Sequence, residues 1–363
     1  MADLIRYCGI ESPSGRERAM ADAVAADLRE LGLEVEEDGS APETGSDAGN
    51  LLARVPGPEG APTVLLCAHL DTVPLDAPVE PVLEDGVIRN RNQAILGADN
   101  KAAIATILGA VRRALRDGAP VSLELLFTTS EEQALRGAKA FDRSRLSADF
   151  GYVFDHASPI GELIVAAPTY YRLEARFVGA SAHAGIRPED GRNAIVAAAR
   201  AIAATRLGRI DPETTANVGR IEGGTAPNVV AERCRVELEA RSLDEDRAAE
   251  VVKGMLDAAT EAASDGECDL ETTLERLFRA YRLSRGSRPV EVASRALERA
   301  GIEPRFITTG GGSDANALIA AGLPVLNVAN GTQRNHQPDE SVTVEAVERM
   351  LDVTLGMIAA AAG

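Results

Sequence analysis

The segment VLLCAHLD at residues 64–71 joins a short apolar run to a histidine and an aspartate. An apolar run of this length is typical of a strand buried in a sheet. His69 and Asp71 stand where that strand ends, and residues two apart on a strand point to the same face. Open α/β sheets form their binding sites at the carboxyl ends of strands. The segment therefore predicts a buried strand that presents polar side chains to a site.

Two further apolar runs repeat this arrangement, at residues 121–127 and 151–154, and both lead into acidic residues. A predicted amphipathic helix, Lys101–Leu115, also begins just after an aspartate. The acidic residues at these strand ends and at this helix start are Asp99, Glu131, Glu132 and Asp155. Helices alternating with buried strands indicate an α/β domain whose polar residues meet at one edge of the sheet.

The pattern changes near Pro168. Between residues 169 and 283 the predicted order is β-α-β-β-α-β, which indicates an inserted ferredoxin-like α+β module of about a hundred residues. The α/β pattern then resumes and ends with a C-terminal helix. We therefore predict a discontinuous α/β domain of residues 1–168 and 284–363, interrupted by a second domain of residues 169–283.

The composition excludes several classes of function. The 363 residues carry 38 Lys and Arg against 56 Asp and Glu, a net charge of −18 that repels phosphate backbones and anionic lipid. Nucleic acid and membranes are therefore not expected as partners. The N-terminal residues lack the basic and apolar regions of a secretory signal. The four cysteines are far apart and form no CxxC pair, so neither a zinc ribbon nor a disulfide framework is expected. The expected location is therefore the reducing cytoplasm.

The histidines His69 and His336, together with the acids at the strand ends, form a candidate metal site. Imidazole and carboxylate ligands suit zinc, manganese or cobalt. The set is too large for one tetrahedral ion, and it suits two ions that share a carboxylate. The side chains of the adjacent Glu131 and Glu132 diverge, so one can bind metal while the other acts as general base. Asp71 is placed to accept the second ring N–H of His69 and to fix its tautomer.

Each of these residues also has an ordinary interpretation. Asp99 could cap the helix that follows it, and Asp155 could be a turn residue at the end of a strand. Two adjacent glutamates most often form a solvated face of a helix. The whole set is harder to explain in this way, because its members follow apolar strands or open a helix.

Two motifs outside this set are candidates for contact with substrate. His183, in SAHAG at 181–185, could donate a hydrogen bond to a developing oxyanion or could be a simple turn histidine. The glycine run at 310–312 lacks the lysine of a nucleotide-binding loop, so a nucleotide site is not expected. Small residues there permit close backbone approach to a ligand, and we place Gly311 and Gly312 among the substrate-binding residues.

Seven motifs together resemble the dinuclear zinc metallopeptidase family that includes peptidase T, carboxypeptidase G, aminoacylase-1 and succinyl-diaminopimelate desuccinylase. They extend over essentially the whole chain, and the resemblance is closest to the peptidase T-like branch. The motifs are CAHLDTVP (67–74), GADNKAAIA (97–105), TTSEEQALRGAKAF (128–141), VFDHASPIGEL (153–163), SAHAGIRPEDGRNAI (181–195), GGGSDANAL (310–318) and RNHQPDE (334–340).

The resemblance implies a zinc-aminopeptidase-like catalytic domain, with a mixed sheet flanked by helices, and two divalent ions. These are expected to be zinc, with cobalt or manganese as alternatives. His69 and Asp155 would bind one ion. Glu132 and His336 would bind the other, and Asp99 would bridge the two.

The resemblance also assigns roles around the metal site. Glu131 would be the general base, and Asp71 would orient His69. The peptide bond between Asp99 and Asn100 would be cis.

In the inserted domain, the resemblance implies a lid through which the chain forms a homodimer. His183 would then reach the active site of the other subunit. Asn228 and Arg241 match the lid residues that hold the substrate carboxylate, and an arginine fork suits a carboxylate. An ordinary surface ion pair is the alternative for Arg241.

We predict a hydrolase that cleaves the amide bond of short peptides through a metal-bridging hydroxide, with Glu131 as general base. Asp155 stands where peptidase T-like members have Asp and where carboxypeptidases and deacylases often have Glu, which favours an aminopeptidase of the tripeptidase type. The alternatives are an N-acyl-amino-acid amidohydrolase or a carboxypeptidase, which would share every metal residue. A non-catalytic binding protein on the same fold is disfavoured, because neither a ligand nor the base is missing.

Overall fold

The computed structural model describes residues 1–363, which form two compact units. The first unit comprises Met1–Ala166 and Arg282–Gly363, and the second unit comprises Ala167–Tyr281. The units thus divide after residues 166 and 281, where the sequence predicts boundaries after 168 and 283. None of the helices has the length and apolar character that a bilayer crossing requires.

Helices and strands follow one another along most of the chain. From the N-terminus to β8 they are α1 (Ala2–Cys8), α2 (Arg18–Glu30), β1 (Val35–Glu37), α3 (Ala41–Thr44), β2 (Leu51–Val55), β3 (Thr63–His69), β4 (Pro81–Glu84), β5 (Val87–Asn90), α4 (Ala98–Asp117), β6 (Ser122–Thr128), α5 (Arg136–Ala140), β7 (Phe150–Val153) and β8 (Glu162–Ala167). From β9 to β13 they are β9 (Thr169–Val178), α6 (Ala194–Ala204), β10 (Gly208–Asp211), β11 (Thr214–Gly223), β12 (Arg233–Ser242), α7 (Glu245–Asp265) and β13 (Asp269–Phe278). The remaining elements are β14 (Tyr281–Arg282), α8 (Arg288–Arg299), β15 (Arg305–Thr308), α9 (Asp314–Ala320), β16 (Val325–Val328), β17 (Thr332–Gln333), β18 (Ser341–Thr343) and α10 (Val344–Ala361).

The first unit is built around a nine-stranded mixed sheet, in the order β1-β2-β6-β3-β7-β16-β8-β14, with β15 also paired to β8. β3 runs parallel to both β6 and β7, so the carboxyl ends of these three strands lie at the same edge. In register, His69 lies beside Thr128, and Cys67 lies beside Val153. The apolar run of β3 is fully enclosed, since residues 64–68 are each at most 1% exposed. The parallel register therefore brings together the segments that follow three separate strands.

The helix predicted at Lys101–Leu115 forms as part of α4, whose backbone is non-helical at Asp99 and Asn100. The peptide bond between these two residues is cis, as the resemblance implies. Gly97 occupies the N-cap position of α4. The carboxylate of Asp99 accepts hydrogen bonds from the side chains of Asn100 and Asn335, not from the helix backbone. The interpretation of Asp99 as a helix cap is therefore wrong.

The second unit is a five-stranded antiparallel sheet, β10-β11-β12-β9-β13, packed on α6 and α7. Its α+β class is as predicted, but the predicted order β-α-β-β-α-β lacks β10. This strand has four residues, of which only Ile210 is buried, so no alternation reveals it in the sequence. β12 alternates between buried and more exposed residues, so one face of the sheet packs on the helices and the other presents charged side chains.

Candidate active site

Two groups of metal-ligand side chains in the first unit share one aspartate. His69, Asp99 and Asp155 place their ligand atoms within 4.8 Å of one another, and so do Asp99, Glu132 and His336. The two oxygens of Asp99 face different histidines. Its Oδ1 lies 3.3 Å from Nε2 of His69, and its Oδ2 lies 3.4 Å from Nε2 of His336. The structure therefore brings together all five residues that the sequence predicts as ligands.

The remaining distances separate the two adjacent glutamates. Oε1 of Glu132 lies 2.8 Å from Nε2 of His336. Glu131 belongs to a third group, with His69 and Glu132, but its carboxylate forms no ion pair with a histidine. Oδ1 of Asp155 lies 3.9 Å from Nε2 of His69. Of the two glutamates, Glu132 is thus the one in direct contact with a histidine of the cluster.

The ring of His69, the last residue of β3, is held at its Nδ1. This nitrogen lies 2.9 Å from the carbonyl oxygen of Asp71 and 3.3 Å from Oδ1 of Asp71. An acceptor at Nδ1 holds the proton there and leaves the lone pair on Nε2, which faces Asp99 and Asp155. Nε2 is buried and has no hydrogen-bond partner. An orphaned buried nitrogen beside carboxylates fits a metal ligand.

The loop that carries Glu131 and Glu132 is held by its backbone N–H groups. Four consecutive N–H groups donate to side-chain oxygens from other segments of the first unit. In order, Thr129 donates to Asn50 (3.0 Å), Ser130 to Glu17 (3.1 Å), Glu131 to Asp71 (2.9 Å) and Glu132 to Asp71 (3.1 Å). Asp71 therefore fixes both His69 and the two glutamates, and it is itself held by the hydroxyl of Ser14 at 2.7 Å.

Three asparagines support the aspartates, and none of them was predicted from the sequence. Nδ2 of Asn335 donates to Oδ2 of Asp99 at 2.7 Å, and Nδ2 of Asn100 donates to Oδ1 of Asp155 at 3.3 Å. Asn327 accepts from the backbone N–H of Asp155 at 3.0 Å and donates to its carbonyl oxygen at 2.9 Å. Asn100 and Asn335 lie inside two of the seven family motifs, directly beside predicted ligands. Asn327 is a lone polar residue in an apolar strand, which is the one signal that could have marked it.

The acids of this cluster have no basic side chain to neutralise them. No arginine or lysine lies within 4 Å of Asp99, Glu131, Glu132 or Asp155, and their ion pairs are with histidines only. Burial, and then the charge of Asp155, raises the pKa of Glu131 well above its ordinary value. Burial, and then the charge of Asp99, does the same to the pKa of Asp155.

The histidines carry the opposite charge in this cluster. Burial would lower the pKa of His69, but the nearby carboxylates of Asp71 and Asp99 raise it well above its ordinary value. Hydrogen bonds to Asp99 and Glu132 raise the pKa of His336 to about 10. In the metal-free cluster protonated histidines thus supply the positive charge, and divalent ions that displace those protons would take the Nε2 atoms and the carboxylates as ligands. The donor set therefore fits divalent metal ions.

Three predicted site residues lie in the second unit. His183 is exposed, and its Nδ1 accepts from the backbone N–H of Gly185 at 3.2 Å, so the neutral ring carries its proton on Nε2. Asn228 is also exposed. It lies close to His183, because its backbone carbonyl oxygen accepts from the N–H of Ala184 at 3.0 Å. The guanidinium of Arg241 pairs with Glu239 at 3.1 Å and stacks on the ring of Tyr170 at 4.1 Å. The contact with Glu239 is an ordinary ion pair, which is what the alternative interpretation of Arg241 predicts.

Gly311 and Gly312 lie in the first unit, in the loop between β15 and α9. Both are half-buried, and neither has a positive φ. A Cβ atom at Gly311 would meet only Oγ1 of Thr309, at an ordinary 3.6 Å. Since no neighbour within the fold demands glycine at that position, the observation is compatible with a ligand that approaches the backbone.

Comparison with known proteins identifies the class. The Peptidase dimerisation domain of the M20 peptidases matches residues 169–267, and Peptidase family M28 matches residues 50–159. Aminopeptidase PepT from Bacillus cereus is 36% identical, with a TM-score of 0.90 over 100% of this chain and 98% of that one. A tripeptidase from Staphylococcus aureus is 31% identical, with a TM-score of 0.94 over 99% and 97% of the two chains. The uncharacterized protein YqjE of Bacillus subtilis is 35% identical over 100% of this chain and 98% of its own length.

These similarities, with the fold and the cluster of ligands, define a peptidase. More closely, the chain belongs to the M20 peptidase family, within its peptidase T-like branch. The family, the fold class and the enzyme class predicted from the sequence are thereby confirmed.

Proposed function

We propose that this peptidase is a dinuclear metal aminopeptidase that removes the first residue of short peptides, as a tripeptidase does. The observation that carries the proposal is the pair of ligand groups that share Asp99, with Glu131 beside them. Two of the similar proteins are an aminopeptidase and a tripeptidase by name, and both match over nearly the whole chain.

The proposed ligand assignment follows the contacts of Asp99. His69 and Asp155 would hold one ion, Glu132 and His336 the other, and Asp99 would belong to both. Divalent ions in such a site polarise a substrate carbonyl and lower the pKa of a water molecule. Zinc is the proposed metal, with cobalt or manganese as alternatives, because the donors are imidazoles and carboxylates.

Glu131 is proposed as the general base. Its carboxylate is 8% exposed and is free of ion pairs with the histidines. A carboxylate beside the ligands that is not itself paired with a histidine is placed to accept a proton from the attacking water and then to donate it to the leaving amine. Asp71 holds the backbone of Glu131 and the ring of His69, so it positions the base relative to the ligands.

The second unit would supply the groups that bind and polarise the substrate. His183 carries its proton on Nε2 in the neutral form, the atom required for donation to an oxyanion. Asn228 and Arg241 are proposed to hold the substrate carboxylate, and Arg241 would exchange Glu239 for it. We also propose that the chain forms a homodimer through this unit, because a peptidase dimerisation domain matches residues 169–267. The proposed location is the cytoplasm, and all four cysteines are free and buried.

A substrate panel tests the proposal. Tripeptides, dipeptides, tripeptide amides and N-acetylated amino acids are assayed with added zinc, manganese or cobalt. We expect free tripeptides to be cleaved after the first residue. Blocking the C-terminus as an amide should raise KM and lower kcat, because remote binding energy helps to orient the reacting bond. The aminopeptidase assignment is wrong if N-acetylated amino acids turn over faster than every free tripeptide, and the deacylase then replaces it.

A further inference from the structure

A buried carboxylate outside the predicted set holds the backbone beside the shared ligand. Glu340 is 1% exposed and directly follows the turn segment 335–339, which contains His336. Its Oε2 accepts from the N–H groups of Leu96 and Gly97, both at 2.8 Å. Its Oε1 accepts from the N–H of Asp99 at 2.9 Å. Both oxygens therefore act as acceptors, and Glu340 forms no ion pair with an arginine or a lysine.

The segment of residues 96–99 needs such an acceptor. It lies outside regular helix, with Gly97 at φ +71° and with non-helical backbone at Asp99. Buried N–H groups that no helix or sheet pairs must find another partner. The segment is also tightly enclosed, since a Cβ atom at Gly97 would meet Cγ2 of Thr72 at 3.2 Å and Nζ of Lys101 at 3.3 Å. Glu340 thus satisfies three amides that have little room to move elsewhere.

We propose that Glu340 is a positioning residue for the metal centre. By fixing the backbone of residues 96–99, it keeps the two oxygens of Asp99 directed at His69 and His336. Residues 334–340 then contribute to the metal centre in two ways. They carry the ligand His336, and they hold Asp99 through Asn335 and Glu340. The inference rests on the proposed function, in which Asp99 is the shared ligand.

Glutamine at position 340 separates positioning from mere packing. The amide has one acceptor oxygen and one NH2 group in place of two acceptors. The orientation that keeps two hydrogen bonds turns the oxygen toward Leu96 and Gly97. The NH2 group then faces the N–H of Asp99, so Glu340→Gln removes support at the ligand while the side chain keeps its shape.

The chain offers a matched control. Glu124 is also a carboxylate that is 1% exposed, and it accepts from the N–H groups of Ser147 at 3.0 Å and Ala148 at 2.9 Å. It contacts no member of the ligand cluster. Glu124→Gln should therefore disturb backbone hydrogen bonds of the same kind, together with the ion pair of Glu124 to Arg54 at 3.3 Å, without touching the metal centre.

The test is a Co²⁺ titration of the metal-free wild type and of both variants, followed by visible absorption. We expect wild type to bind two ions and Glu340→Gln to bind at least one of them about 10- to 100-fold more weakly, with an altered spectrum. Glu124→Gln should bind like wild type. In the zinc-loaded enzyme, Glu340→Gln should lower kcat with little change in KM.

The outcomes distinguish a failure of the proposed function from a failure of the positioning role. If wild type itself fails to bind two ions, the proposed function is wrong. If wild type binds two ions and Glu340→Gln matches it in affinity and spectrum, the positioning role is wrong. Should the Gln variant fail to fold, Glu340→Asp replaces it, since it keeps two acceptors but is one methylene shorter. The Asp variant should then show weaker metal binding than wild type, and equal binding would contradict the inference.

Discussion

The carboxylates of the two units are neutralised in different ways. On the charged face of the sheet in the second unit, Glu174 pairs with Arg176 and Arg235. On the same face, Glu237 pairs with Arg235 at 2.8 Å and with Arg172 at 3.0 Å. In the first unit, the clustered acids have no arginine or lysine within 4 Å and depend on two histidines.

The difference separates carboxylates that are neutralised within the fold from carboxylates that, under the proposed function, bound metal ions neutralise. Exposed ion pairs contribute little to stability and tolerate change. Buried carboxylates without permanent counter-charges cost stability, and a fold retains them where a ligand supplies the missing cation. The comparison therefore predicts large effects on chemistry from changes in the first cluster and small effects on stability alone from changes in the second.

The largest effect is expected from the two adjacent glutamates. Glu131→Gln should lower kcat by about 10²- to 10⁴-fold while two metal ions per chain remain, because Gln keeps the shape but cannot accept a proton. Glu132→Ala should instead weaken the binding of one ion, since it removes the oxygen 2.8 Å from Nε2 of His336. Metal analysis of the purified variants distinguishes the two roles. Full loading of Glu132→Ala, or lost loading of Glu131→Gln, would reverse the assignment.

The second-largest effect is expected from His183, and it tests whether the second unit supplies a hydrogen-bond donor to the reaction. If His183 donates to the oxyanion of the partner subunit, His183→Ala and Glu131→Ala homodimers are each nearly inactive. Refolded together at equal ratio, about half of the dimers are mixed, and each mixed dimer has one intact site. Activity should then recover to about a quarter of wild type. A mixture that stays inactive would show that His183 acts within its own chain or that the chain is a monomer.

A smaller effect concerns the metal-free cluster, which holds extra protons when folded. The raised pKa of His336, about 10, means that the folded chain binds a proton there that the unfolded chain releases above about pH 6.5. The pKa values of Glu131 and Asp155 are also raised, so these groups change the stability in the same direction as pH rises. The free energy of unfolding of the metal-free protein should therefore fall as pH rises from about 6.5 to about 10.

Thermal melts of chelator-treated protein at pH 6.5 and pH 9 measure this fall. The control is His336→Gln, which cannot titrate and so should show a smaller decrease in Tm over the same interval. This comparison subtracts the repulsion that the net charge of −18 adds at every pH. Equal decreases in wild type and variant would contradict a protonated His336 in the metal-free site.

The strand-end residues could be predicted because the apolar run that precedes each of them is visible in the local sequence. Each apolar run identifies a buried strand, and the parallel register of β3 with β6 and β7 then brings the ends together. His69 and Asp155 follow directly from this rule. His336 lies in a short irregular segment that periodicity does not reveal; it is included as a histidine that could join the acids, and the family resemblance then gives it a role as ligand of the second ion.

The supporting residues could not be predicted, because their contacts are created by the tertiary fold. Glu340 is 241 residues from the backbone N–H of Asp99, and Glu17 is 113 residues from that of Ser130. Glu340 ends the motif RNHQPDE, but neither that position nor the polar sequence around Glu17 reveals which backbone N–H groups each acid contacts. β10 was missed for another reason, since a four-residue strand at the edge of a sheet has too few residues to show a pattern.

The smallest effect is expected on the charged sheet face of the second unit. Arg235→Ala and Glu174→Ala each remove a pair in which the arginine side chain is 33% and the glutamate 13% exposed. Because solvent screens such a pair and Glu174 keeps Arg176, the coupling free energy in a double-mutant cycle should be about 0.2–1 kcal/mol. Metal content and kcat should match wild type in both single variants. A loss of bound metal in either one would break the contrast between the two units, since it would show that this face, too, serves the chemistry of the first cluster.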